Sequence, residues 1–143
     1  MILPDVNVLV YAFRREAPDH GRYAGWLSQV VSGAEELALH DVPLAGFLRI
    51  VTNPRILEQP TPTGIALGFV RRLIAARRAR WLPSAAATWN HLAGLVDEDP
   101  ALLGNLVPDT HVAALSLAHG CRLATADRGF ARFPGLDWFD PIR

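Results

Sequence analysis

Three aspartates stand where a chain of alternating strands and helices can do chemistry. Asp5 ends the apolar run Ile2 to Pro4. Asp127 follows the run Arg122 to Thr125, and Asp109 lies in the first turn of a helix opened by Pro108. In open α/β sheets, ligands bind outside the carboxyl ends of the strands, which puts Asp5 and Asp127 on one edge. Carboxylates gathered there repel one another, and a cation relieves the repulsion. Oxygen donors without cysteine or histidine select a hard ion such as Mg²⁺ or Mn²⁺. Such an ion keeps several waters and activates one for in-line attack on a phosphate. Each aspartate also has a purely structural reading. Asp5 can cap the helix after it, Asp109 can complement a helix dipole, and Asp127 can make an Asx-turn.

The elements that must position these acids are punctuated along the chain. Ile2 to Pro4 reads as a strand and Val6 to Phe13 as a helix. Asp19 caps a second helix, with Tyr23, Leu27, Val30 and Val31 at helical spacing and Gly33 as its end. Glu36 to Leu39 reads as a strand and Val42 to Val51 as a helix stopped by Asn53-Pro54. Thr61-Pro62-Thr63 opens a long helix through about Arg78, and Trp81-Leu82 reads as a third strand. Ala85 to Val96 is helical, closed by Asp97, Glu98, Asp99 and Pro100. The helix from Pro108 to His119 is apolar almost all round and stops at Gly120. Arg122 to Thr125 and Asp137 to Phe139 are the last strands. This alternation predicts an α/β fold with a mostly parallel sheet flanked by helices. With 143 residues and no linker or repeat, one domain over residues 1–143 is expected.

Composition removes several mechanisms. All fourteen basic residues are arginine, against fourteen acidic residues. Without lysine there is no P-loop and no Schiff-base chemistry. Phosphatases and receiver domains with an aspartate after the first strand normally need a lysine too, so both fall sharply, and a metal phosphatase of another α/β family is a weak third reading. The lone Cys121 allows no intrachain disulfide and no cysteine zinc cluster. The opening segment carries Asp5 and no basic stretch, so a signal peptide is not expected. No run reaches a membrane span of roughly 18 apolar residues. The expectation is a cytoplasmic protein.

Four ordered blocks carry a family resemblance. Asp5-Val6-Asn7-Val8-Leu9-Val10-Tyr11-Ala12 resembles the opening of PIN-domain nucleases. Residues 47–55, FLRIVTNPR, are similar to the middle signature of VapC-type toxins in the branch abundant in mycobacteria. Residues 104–111, GNLVPDTH, and 125–136, TADRGFARFPGL, match that branch's third and fourth blocks. The resemblance implies a metal-dependent endoribonuclease toxin, held inactive by a cognate VapB-type antitoxin and commonly dimeric. It implies Asp5, Asp109 and Asp127 as metal-binding acids using Mg²⁺ or Mn²⁺. Asn7 and Thr125 match polar positions beside the metal, and Asn105 falls in a matching motif. The family usually adds a glutamate on the helix from Val42 to Val51, where this chain has Gly46. Losing that acid should weaken metal binding, and Gly46→Glu should tighten it if the side chain fits. Asp41 is a possible compensating acid, although an N-cap role is the preferred reading. The departure keeps a second function open: a PIN-like RNA- or protein-binding module that no longer cuts efficiently.

Other residues rank lower. Arg49 is a possible phosphate contact. Arg71, Arg72, Arg77, Arg78 and Arg80 form a basic cluster, read first as a solvated helix face on which Arg71 and Arg78 align. His111, two residues from Asp109, should point away from it and pack. Trp26, Trp81, Trp89 and Trp138 are read as core or interface residues rather than base-stacking ones.

Overall fold

The strands Ile2–Pro4 and Leu37–Leu39 are wholly apolar and buried, because the sheet is covered on both faces there. In the computed structural model, which describes residues 1–143, β1 (Ile2–Pro4), β2 (Leu37–Leu39), β3 (Ala79–Trp81), β4 (Arg122–Ala124) and β5 (Trp138–Phe139) pair in the order β3-β2-β1-β4-β5. All four pairings are parallel. The register sets Leu3 beside Leu123 and Pro4 beside Ala124, so the ends of β1 and β4 are level. Asp5 and Thr125 leave the sheet side by side.

Strand residues alternate between two cores, as the two-residue strand period requires. Ile2, Leu37, Leu39 and Ala124 pack against α1 (Val6–Phe13), α2 (His20–Ser32), α3 (Asp41–Val51) and α4 (Thr63–Ile74). Leu3, Ala38 and Leu123 face the other way, against α5 (Ala86–Glu98) and α6 (Val107–His119). The α6 helix is buried along Val112, Ala113, Ala114, Leu115 and Ser116 and turns off at Gly120 with φ of 61°. That left-handed conformation is one glycine adopts without penalty. No helix is long and apolar enough to cross a membrane.

Five local expectations are corrected. The α4 helix ends at Ile74 rather than near Arg78, because the chain must turn to pair Ala79 with Leu37. Arg71 and Arg72 therefore stay on the helix while Arg80 joins β3, so Arg71 and Arg78 do not share a helix face. The third strand is Ala79–Trp81, earlier than the expected Trp81-Leu82. Asp19 precedes α2 in a left-handed conformation, φ 55°, and its side chain makes no cap bond. Asp41 is not the N-cap of α3. His40 takes that place, its Nδ1 accepting from the Val42 amide at 3.1 Å, and Asp41 becomes the first helical residue.

Candidate active site: an acidic groove at the carboxyl edge of the sheet

Asp5 is both a helix cap and part of a larger network. Its Oδ1 accepts from the Val6 amide at 2.7 Å and starts α1. Its Oδ2 accepts from Thr125 Oγ1 at 2.8 Å and from Asn7 Nδ2 at 2.7 Å. Asn7 Nδ2 also donates to Thr125 Oγ1, and Asn7 Oδ1 accepts from the Ala126 amide. Thr125 Oγ1 in turn accepts from the Asp127 amide at 3.1 Å. The end of β1 is thus tied to the turn after β4 through side chains that sequence reasoning placed beside the acids.

The carboxylates share one field. Asp5 is only 5% exposed. Burial raises its pKa, the hydrogen bonds from Thr125, Val6 and Asn7 oppose that, and the Asp127 charge adds to it. Asp109, half-buried in the first turn of α6, is pushed up to about 6, first by burial and then by the charges of Asp5 and Asp127. Asp127 is exposed, and its Oδ1 accepts from the Gly129 amide at 2.7 Å. The Asx-turn and cap readings therefore hold alongside the clustering: one oxygen of Asp5 and one of Asp127 fix the backbone.

All three aspartates line one open groove of about 720 Å³. Asn7 and Asn105 line it too. Gly46 and Arg49 come from α3, and Arg49 takes part in none of the ion pairs of the fold. Asp41 is exposed at the start of α3 and does not line the groove. Gly46 has a packing reason: a Cβ there would lie 2.9 Å from Val6 Cγ2, so α3 meets α1 too closely for a side chain.

The donor set suits a hard divalent ion. It is all oxygen, it carries excess negative charge, and no cysteine or histidine lines the groove. The acids do not, however, converge on one ion-sized point, since no three His, Cys, Asp or Glu side chains are gathered closely enough to hold an ion by themselves. An ion here would be shared between protein oxygens and water, the habit of Mg²⁺.

The remaining candidates lie elsewhere. His111 packs its ring 5.7 Å from His40 and 5.6 Å from Trp89, away from the groove lining. The arginines of α4 and β3 do not line the groove, and Arg80 pairs with Glu36 at 2.7 Å. Trp26 and Trp138 are half-buried, whereas Trp81 and Trp89 are 46% and 60% exposed and are not core residues. Sequence reasoning missed the groove's apolar lining. Val6 and Val10 on α1, and Val42 and Ile50 on α3, recur at helical spacing, and that spacing was its only signal.

Comparison with known proteins matches this arrangement to one family. A PIN-domain family model covers residues 2–136. The chain is 41% identical over 145 aligned positions to the VapC ribonuclease Mb2897 of Mycobacterium bovis, covering 99% of this chain and 96% of that protein. It is 34% identical over 143 positions to ribonuclease VapC33 of Mycobacterium tuberculosis, covering 100% and 99%. The crystal structure of VapBC2 from Rickettsia felis, bound to a DNA fragment from its promoter, superposes with a TM-score of 0.70 at 20% identity, over 97% of this chain and 98% of that one. At that identity the likeness speaks for the fold alone. With a family model spanning nearly its full length and relatives this close, the chain belongs to the PIN-domain family and, within it, to the VapC ribonucleases.

Proposed function

We propose that this chain is a divalent-metal-dependent endoribonuclease, the toxin of a VapBC-type pair. The observation that carries the reading is the lining of one groove by Asp5, Asp109 and Asp127, with Asp109 displaced to about 6 partly by the charges of the other two. Those three acids would hold Mg²⁺ or Mn²⁺. The chemistry such an ion supplies is activation of water for in-line attack and neutralisation of charge on the phosphate. Thr125 and Asn7 orient Asp5, and the Asp127 amide is held by Thr125. Asn105 lines the groove and supplies a neutral polar contact. Arg49, with no acidic partner of its own, takes an RNA phosphate and lowers the repulsion between a polyanion and three carboxylates. A formal net charge of zero does not oppose this, because the local field decides binding.

The partner would be a VapB-type antitoxin. Proteins of this fold occur in structures described as VapBC pairs. We place the chain in the cytoplasm, as a homodimer in its working state. The test is cleavage of labelled RNA by the purified chain with Mn²⁺ or Mg²⁺, with chelator, and with Asp109→Asn. Cleavage that needs the ion and the carboxylate supports the reading. Gly46, in place of the usual acid, favours one alternative, a module that binds RNA without cutting it. Ion-independent RNA binding with no cleavage would select that alternative.

A further inference from the structure

The groove is larger and less polar than its acids require. Its acidic side consists of Asp5, Asp109 and Asp127. The rest of its lining includes apolar residues of α1 and α3, among them Val10, Tyr11, Val42 and Ile50. Val42 is 37% exposed, and Val10, Tyr11 and Ile50 are partly exposed, so apolar surface is left facing water. Gly46 lies between Val42 and Ile50 on the same face of α3, at positions i, i+4 and i+8, and Val6 of α1 fills the place its side chain would take.

We propose that this apolar wall is a subsite for a nucleobase of the RNA, adjacent to the phosphate that the acidic side receives. The inference rests on the nuclease reading and goes beyond it by assigning the substrate part that the second wall takes. An ion and its waters have no use for valine and isoleucine. The phosphate and ribose of RNA are polar, and the base is the only part with apolar faces. An aromatic ring is the usual partner for such a face, and stacking tolerates any base. Tyr11 provides that ring, held in place by Tyr23 with ring centroids 5.2 Å apart.

The test uses the full chain carrying Asp5→Asn, which holds cleavage off, with Mg²⁺ present. Its affinity is measured for short single-stranded oligoribonucleotides, one homopolymer of each base, and for an abasic ribose-phosphate chain of equal length and charge. At least one homopolymer should bind about tenfold more tightly than the abasic chain, the scale of one stacked base. Adding Tyr11→Ala should bring that homopolymer down to the abasic affinity, and Tyr11→Phe should keep the difference. Ile50→Ser, a smaller change on partly exposed surface, should reduce it too and guards against misfolding of the tyrosine variant. Equal binding of base-bearing and abasic chains overturns the subsite. So does an equal loss on both chains in Tyr11→Ala, which would mark a general defect. If the unsubstituted chain cleaves RNA while base and abasic affinities match, only the subsite fails. If it neither binds nor cleaves any RNA, the nuclease reading fails with it.

Discussion

Thr125 Oγ1 donates to Asp5 Oδ2 at 2.8 Å, joining residues 120 positions apart in the chain. A hydroxyl has one proton, and this one is given to the carboxylate. Its lone pairs then accept from Asn7 Nδ2 at 3.0 Å and from the Asp127 amide at 3.1 Å. One fully buried oxygen therefore sets where Asp5 points and where the backbone of Asp127 sits. The parallel pairing of β1 with β4 brings the two strand ends level, and the hydroxyl fixes the side chains there.

Thr125→Val keeps the shape of the side chain and removes this hub. Two donors and one carboxylate oxygen lose a partner in a buried place, which costs about 1–3 kcal/mol. Urea denaturation of the metal-free protein should show that loss, and Thr125→Ser should recover most of it. A valine variant as stable as the parent would mean that water or Asn7 alone satisfies the same groups.

Expression of the chain without its antitoxin should slow bacterial growth. Asp5→Asn should abolish the effect at equal protein level while retaining cooperative thermal unfolding, because asparagine can still accept from Val6 but carries no charge. Co-expression of the cognate antitoxin should restore growth with the unsubstituted chain. Full toxicity of Asp5→Asn would remove the metal mechanism.

Much of this site was legible in the sequence, for reasons that differ from residue to residue. Asp5 and Asp127 are readable because a strand end in a parallel sheet is a place of known geometry, and Asp109 because Pro108 marks a helix start. The contact between Val6 and Gly46 was not readable, since it depends on how closely α1 and α3 approach. The early end of α4 was hidden for a related reason. Ala75, Ala76, Arg77 and Arg78 are all good helix formers, and only the need to deliver Ala79 to β2 stops the helix. His40 was overlooked as a cap because histidine is not among the preferred capping residues and Asp41 beside it is.

That histidine cap makes stability depend on pH. His40 is 3% exposed; its Nδ1 accepts from Val42, and its Nε2 lies 3.2 Å from Ser84 Oγ. Burial lowers its pKa from the usual value, the His111 charge and to a smaller extent His119 lower it further, and Asp41 opposes them. A proton on Nδ1 would break the cap. Because the folded pKa lies below that of the unfolded chain, the unfolded state takes up the proton first. Stability from this group is complete above about pH 6.5 and falls as the pH drops below it. His40→Asn supplies a cap that does not titrate. Between pH 7.5 and 5.5 it should lose less stability than the parent, as read by denaturant midpoints. Parallel curves for the two proteins would show that the cap is not coupled to protonation.

The last prediction concerns Gly46, where the sequence resemblance leads one to expect an acid. On sequence grounds, Gly46→Glu adds a fourth acid and tightens metal binding. The structure opposes this, because the new Cβ would sit 2.9 Å from Val6 Cγ2. Valine in a helix has essentially one rotamer, so Val6 cannot swing aside cheaply. The substitution should instead cost about 1–3 kcal/mol of stability through overpacking and part α3 from α1. It should then leave Mn²⁺ affinity unchanged or weaker. Val6→Ala removes the obstructing methyl groups. Val6→Ala combined with Gly46→Glu should recover stability relative to Gly46→Glu alone and bind Mn²⁺ more tightly than Val6→Ala alone. Calorimetric titration of the four proteins, with thermal unfolding of each, measures both effects. Tighter Mn²⁺ binding by Gly46→Glu alone, with undiminished stability, would show that α3 yields at this contact and that packing against Val6 is not what keeps the fourth acid out.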